Sequence, residues 1–271
     1  MDGNAEGLQG EEVLILLLGG TSETAEIADA LAARGFLVLV STATDNELDV
    51  GMSRKIKKRA GRMDESEMSA LIKEKEISAV VDATHPFAEI VSETAKTSAK
   101  ESGVPYFRFA RSAQDYDYEK IIWVKNHKEA ANAAFKAGKP PLLTTGSRNL
   151  APYMEQSRKT GIKIVARVLP HGESRKSCRD AGLSEASVIF ARGPFTVKEN
   201  LELIKKFGIG TVVTKDSGKA GGVIEKVEAA KTAGCIVVLI ERPDDGGSNS
   251  FESVEELVDS LTASLSEKTR A

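Results

Sequence analysis

The sequence predicts an α/β fold built as two Rossmann-like domains with mostly parallel sheets and a cleft between them. Three observations point there. Short apolar runs alternate with segments of helical period along nearly the whole chain, as they do when strands are joined by crossover helices. The first run, VLILLL, is continuous rather than alternating, which suits a parallel strand buried on both faces. It leads straight into Gly19, Gly20, Thr21 and Ser22 and then a helical segment, the strand–turn–helix that opens a dinucleotide-binding unit.

Taken in order, strands at 13–18, 36–41, 55–61 and 79–83 and helices at 24–33 and 65–75 form the first domain. Pro105 opens a further extended piece, YFRFAR, and QDYDYEK follows as a crossing, so the domains are read as 1–112 and 113–271. Beyond the crossing, IIWV, PLLTT, KIVARVLP, SVIFAR, TVVTKD and IVVLIERP are strands, with helices at 128–137, 196–207 and 223–233. DDGGSNS reads as a loop and 254–265 as a closing helix.

Composition limits the function classes. A chain of 271 residues with 41% hydrophobic and 28% charged residues has room for two modest domains with buried cores. No apolar stretch is long enough to span a bilayer, and the start MDGNAEGLQGEE lacks the pattern of a signal peptide, so a cytoplasmic protein without membrane partners is expected. The net charge of −3 argues against non-specific nucleic-acid binding. Cys178 and Cys235 have no metal-ligand spacing, so neither a metal site nor a disulfide framework is expected.

The Gly19-Gly20 turn, with Thr21 and Ser22 as hydroxyl donors, is placed to hold a diphosphate at a helix N-terminus. The pattern is GGTSET rather than G-x-G-x-x-G, and such a turn also occurs with nothing bound. At the end of the second strand Ser41 and Thr42 stand where NAD-binding proteins carry an acidic residue, and Arg62 follows the third strand. This favours NADPH over NADH. The competing reading is a turn cap beside a solvated basic face of Arg54, Lys55, Lys57, Lys58, Arg59 and Arg62. After the fourth strand, DATHPFA puts Asp82, Thr84, His85 and Pro86 at the carboxyl end of the sheet, where nicotinamide would lie; the alternative is a helix cap with a hydrogen-bonded histidine.

LLLGGTSE, AGRMD, VVDATHPFA, PYFRFAR, TTGSRNL, ARVLP, ARGPF, TKDSGKAGG and VVLIERP occur in this order across both domains. In this ordered set the chain resembles the precorrin-6A reductase family, including its cobalt-precorrin-6A branch. The resemblance implies reduction of one C=C bond of a methylated tetrapyrrole by a pyridine nucleotide, in the pathway to cobalamin. It leaves open NADPH against NADH and cobalt-bound against metal-free substrate. Neighbouring pathway enzymes become candidate partners.

A substrate rich in acetate and propionate groups needs basic residues and hydrogen-bond donors. The second domain offers Thr145, Ser147 and Arg148 after one strand, Arg167 and His171 around the next, Arg192 in ARGPF, and Lys215, Asp216, Ser217, Gly218, Gly221 and Gly222 in the last loop. Singly, each reads better as a glycine-rich turn with scattered basic residues; their repetition after successive strands tips the reading toward a binding site. For the proton that accompanies hydride, His85 is the first candidate and Lys215 or Asp216 the second, with a substrate carboxyl or water as alternatives. His85 and Lys215 are expected on opposite walls of the cleft. Two rival readings are a short-chain dehydrogenase, whose Tyr-x-x-x-Lys spacing Tyr116 and Lys120 match in the wrong context, and a non-catalytic dinucleotide-binding regulator.

Overall fold

The computed structural model describes residues 12–44, 48–110, 115–218, 221–243 and 249–268. The chain forms two compact units, one of Met1–Arg111 with Asp244–Ala271 and one of Ser112–Pro243. The first contains β1 (Leu14–Leu18), α1 (Thr24–Ala33), β2 (Leu37–Thr42), β3 (Ile56–Ala60), α2 (Glu65–Glu74), β4 (Ile77–Asp82), α3 (Glu89–Glu101) and β5 (Tyr106–Phe109). The second contains β6 (Ile121–Val124), α4 (His127–Ala134), β7 (Pro141–Leu143), α5 (Ala151–Thr160), β8 (Val165–Val168), α6 (Gly172–Asp180), β9 (Val188–Phe190), α7 (Val197–Phe207), β10 (Thr211–Lys215), α8 (Val223–Ala233) and β11 (Ile236–Ile240). The chain then returns to the first unit with β12 (Ser250–Phe251) and α9 (Val254–Lys268).

Each unit has one six-stranded sheet, ordered β12-β5-β4-β1-β2-β3 and β6-β11-β10-β7-β8-β9, with every strand pair parallel. Both therefore reverse direction of build at one point, between β1 and β4 and between β7 and β10, where open parallel sheets bind ligands. The continuous apolar run of β1 is explained by its burial: Ile15 and Leu17 pack into one core with Ile27, Leu31, Val38 and Val81, while Leu16 and Leu18 face another with Met68, Ile72 and Val80. At the far edge, Lys57 and Lys58 of β3 are exposed, as suits an edge strand protected from further pairing.

The division at 112/113 with everything later in the second domain needs correcting. β12 adds to the edge of β5, in register Ser250↔Arg108 and Phe251↔Phe109, and Leu257, Val258 and Leu261 of α9 complete the first core. The equivalent edge of the second sheet is taken by β6, beside β11, so each sheet receives its outermost strand from beyond the connection to the other. Of the expected loop at 244–250, residues 244–248 lie outside the described residues, and Ser250 is already in a strand. Of the QDYDYEK crossing, Gln114 lies outside them; 115–118 run without helix or strand.

Candidate functional site

The turn after β1 is held from three sides. Gly19 N–H donates to Ser41 O at 2.9 Å. The Thr24 hydroxyl, on the first residue of α1, accepts from the N–H groups of Gly20 and Thr21 at 3.1 and 3.2 Å. Thr21 Oγ1 donates to Ala83 O at 2.9 Å, tying the β1 turn to the β4 turn across the point where the strand order reverses. Gly19 cannot carry a side chain, because a Cβ would meet Thr24 Cγ2 at 2.6 Å. Gly20 is different: its φ is +123°, and among the described residues nothing lies within 4 Å of where a Cβ would be. Open space over a positive-φ glycine ahead of a helix N-terminus fits the close approach of phosphates. Thr21 and the exposed Ser22, which donates to Glu23 Oε2 at 3.0 Å, were both expected as phosphate donors; in the structure Thr21 instead locks the two turns together.

At the end of β2, Ser41 and Thr42 are buried. Arg59 of β3 donates from Nη1 to Ser41 Oγ at 2.8 Å and to Gly61 O at 3.2 Å, and Thr42 Oγ1 donates to Thr44 O at 2.8 Å. Arg62, the expected cation, is exposed, and Arg59 is a second cation at the strand end. The DATHPF segment is equally well determined. Asp82 is fully buried and pairs with Arg108 at 2.7 Å. Its Oδ1 also accepts from Thr84 N–H and Oγ1 at 2.9 and 2.6 Å, and its Oδ2 from the Tyr106 hydroxyl at 2.8 Å. Its carboxylate is thus engaged inside the protein and shapes the turn that carries Thr84, His85 and the buried Pro86. His85 Nδ1 accepts from Phe87 N–H at 3.2 Å, so the neutral ring carries its proton on Nε2.

In the second unit Asp216 is buried between Tyr116 and Arg242. Tyr116 OH donates to its Oδ1 at 2.7 Å, and Arg242 donates to Oδ2 from Nε at 2.8 Å with Nη2 at 2.7 Å. Burial, then the hydrogen bond and charge of Asp216, hold the Tyr116 phenol well above its usual range, with Arg242 opposing. Tyr116 and Lys120 are therefore no dehydrogenase pair: Tyr116 sits outside any helix and Lys120 Nζ points to Gly234 O at 3.5 Å. Lys215, partly buried, ends β10. The Lys215 ammonium acts on His127, at the start of α4; burial first and then Lys215 push that imidazole down to about 4. His127 Nδ1 lies 3.0 Å from the Tyr153 hydroxyl, and the Thr145 hydroxyl bonds the same phenol, lowering a pKa that burial raises. Thr145, Tyr153, His127 and Lys215 thus form one cluster. Ser217 and Gly218 are buried, and Gly221 and Gly222 lead into α8 with Gly222 at φ +63°. Ser147 is partly exposed, while Arg148 and Arg192 are exposed and are not drawn into this cluster.

Comparison with known proteins matches this architecture to one family. The family model described as "Precorrin-6x reductase CbiJ/CobK" matches residues 14–262. The chain belongs to the precorrin-6x reductase family. It is 35% identical to the cobalt-precorrin-6A reductase of Priestia megaterium over 249 residues, covering 92% of this chain and 98% of that protein. It is 30% identical to the precorrin-6A reductase of Rhodobacter capsulatus over 233 residues, covering 84% and 88%. Among solved structures, "CobK precorrin-6A reductase" superposes with a TM-score of 0.74 at 26% identity, over 93% of this chain and 96% of that one.

As a precorrin-6x reductase the chain is an oxidoreductase of cobalamin biosynthesis, and its family works with a pyridine nucleotide. Among the described residues no helix is long and apolar enough to cross a membrane. Sequence reasoning passed over four residues of these surroundings: Arg59 on β3, His127 at the start of α4, Tyr153 on α5 and Lys226 on α8. Arg59 was read as part of a charged surface. His127 and Tyr153 carry no motif, although a histidine directly after a strand and an N-capping Asn126 was a usable signal. Lys226, in the first turn of α8, was not singled out, yet it is 9% exposed.

Proposed function

We propose that the protein reduces one C=C bond of precorrin-6A or its cobalt complex, with NADPH as the preferred reductant, in the cytoplasm alongside the neighbouring enzymes of the pathway. The observation that carries this reading is the locked double turn of the first sheet: an open glycine at the start of α1, joined by Thr21 to the histidine-bearing turn after β4. The bound nicotinamide supplies hydride. The residues of this chain supply position and charge. The open space over Gly20 receives the diphosphate, and Arg59, oriented by Ser41, faces the 2′-phosphate that distinguishes NADPH. His85, fixed through Nδ1, holds a proton at Nε2 and is the first candidate to deliver it; Lys215 is the second. Asp82 and Asp216 act as positioning residues, because their oxygens are already engaged. Thr145, Ser147, Arg148, Arg192, Lys215, Ser217, Gly218, Gly221 and Gly222 supply donors for the acid side chains of the substrate.

Purified protein offered NADPH or NADH with metal-free or cobalt precorrin-6A tests the reading. Oxidation of the nucleotide with a product two mass units heavier is expected, faster with NADPH. No oxidation in any of the four combinations would reject it, and faster turnover with NADH would remove Arg59 from the cofactor assignment.

A further inference from the structure

Two cations are buried together in the second unit, and the proposed chemistry uses neither. Arg167 is the penultimate residue of β8 and lies on the same sheet face as Val165, two residues before it. Val165 packs there with Val223 and Val227 of α8 and Leu201 of α7. Arg167 is 5% exposed and Lys226 of α8 is 9% exposed. The guanidinium lies over Phe195, with Cζ 3.8 Å from the ring centroid, and its buried Nη1 has no hydrogen-bond acceptor among the described residues. Lys226 donates one N–H to Gly221 O at 2.7 Å, which closes the glycine turn ahead of α8.

The two charges feel each other. Burial and then Arg167 push the Lys226 ammonium down to about 8, with Glu225 acting in the opposite sense. Burial pushes Arg167 down to about 10, opposed only by Glu199, whose carboxylate is engaged by Thr196. Burying a guanidinium beside a second cation, with a donor unmade, is unfavourable unless an anion completes it. The planar fork of guanidinium donors has the geometry that matches a carboxylate. Arg167 lies at the carboxyl end of β8, Phe195 in the connection from β9 to α7, Gly221 just ahead of α8 and Lys226 in its first turn.

We propose that Arg167, backed by Lys226 and covered by Phe195, is a buried subsite for one acid side chain of the tetrapyrrole. This rests on the substrate class proposed above and deepens it, naming the place where one carboxylate is held. A nucleotide phosphate would present the same anionic chemistry, so the test separates the two sources.

Calorimetric titrations of wild type, Arg167→Met and Arg167→Lys should use three probes: cobyrinic acid as a polycarboxylate corrin, its fully esterified neutral form, and NADPH. Arg167→Met should weaken cobyrinic acid at least tenfold, change the neutral ester less than twofold and leave NADPH within twofold. Arg167→Lys, which keeps the charge and loses the fork, should give an intermediate loss and stands in if the methionine variant does not fold. Thermal unfolding adds a readout that a purely structural arginine would move the other way: without ligand, Arg167→Met should unfold at a higher temperature than wild type. Unchanged affinity for cobyrinic acid in both variants would overturn the proposal, and so would a loss confined to NADPH. If wild type binds no corrin at all, the substrate class itself falls, and this subsite with it.

Discussion

The two sheets end their fourth-position strands in the same way. β4 finishes at Asp82, which is held by Arg108 and Tyr106; β10 is followed by Asp216, held by Arg242 and Tyr116. In each, a buried carboxylate takes a guanidinium and a phenol beside the point where strand order reverses. What differs is the surroundings. In the first sheet the neighbouring turn is an open, positive-φ glycine backed by a helix N-terminus, and in the second it is a set of side chains, Thr145, Tyr153, His127 and Lys215, with Arg167 and Lys226 buried on β8 and α8. The buried aspartates are what the two sheets share, and the residues around them are where the sheets differ. A backbone cradle suits phosphates, and scattered cations suit a polycarboxylate.

The largest difference should appear when the shared clamps are removed. Arg108→Met leaves the fully buried Asp82 without its charge partner and should cost about 3–5 kcal/mol of folding stability. Arg242 is 17% exposed against 4% for Arg108, so Arg242→Met should cost less, roughly 1–3 kcal/mol. Urea unfolding of both variants checks the order, and equal losses would show that burial does not set the difference.

Next in size is His85. His85→Ala should lower kcat by about a hundredfold while KM for the tetrapyrrole changes only a few-fold. Steady-state kinetics would remove His85 from proton delivery if kcat were unchanged, and would assign it to binding if KM carried the whole effect.

Much of this layout was readable beforehand. The unbroken VLILLL run announces a strand buried on both faces, and the residues of β1 do divide between two cores. The position of DATHPF at a strand's carboxyl end followed from the same alternation. The fate of Asp82 did not, because a buried ion pair needs Arg108 on a neighbouring strand, and parallel register is invisible in one sequence. β12 was missed because two residues are too few to show a period, and α9 reads as amphipathic wherever it docks. Arg59 was hidden in a basic run whose other members Lys57 and Lys58 are exposed. His127 and Tyr153 meet only because α4 and α5 pack together.

A smaller effect tests the cofactor side of the first sheet. Arg59→Gln should reduce the preference for NADPH over NADH about tenfold, by removing a charge-assisted contact with a phosphate. Ratios of kcat/KM for the two nucleotides measure it, and an unchanged ratio would return Arg59 to the solvated edge.

The smallest expected effect is a pH dependence in the second unit. His127 is held at about 4 in the folded protein, against about 6.5 when unfolded. The unfolded chain then binds more protons, so the contribution is complete above about pH 6.5 and is lost as pH falls toward 4. For a partly buried ring the change should be roughly 1–2 kcal/mol after solvent screening. His127→Gln should flatten this part of the stability profile, and an identical profile in the variant would contradict the assignment.

The division of labour between the sheets is open to one direct measurement, amide hydrogen exchange with each ligand added alone. NADPH should protect the first-sheet turns at 19–24, 41–44 and 82–88, and a polycarboxylate corrin the second-sheet turns at 144–150, 191–196 and 215–218. Protection of the second-sheet turns by NADPH, with the Gly19-Gly20 turn unchanged, would contradict the account.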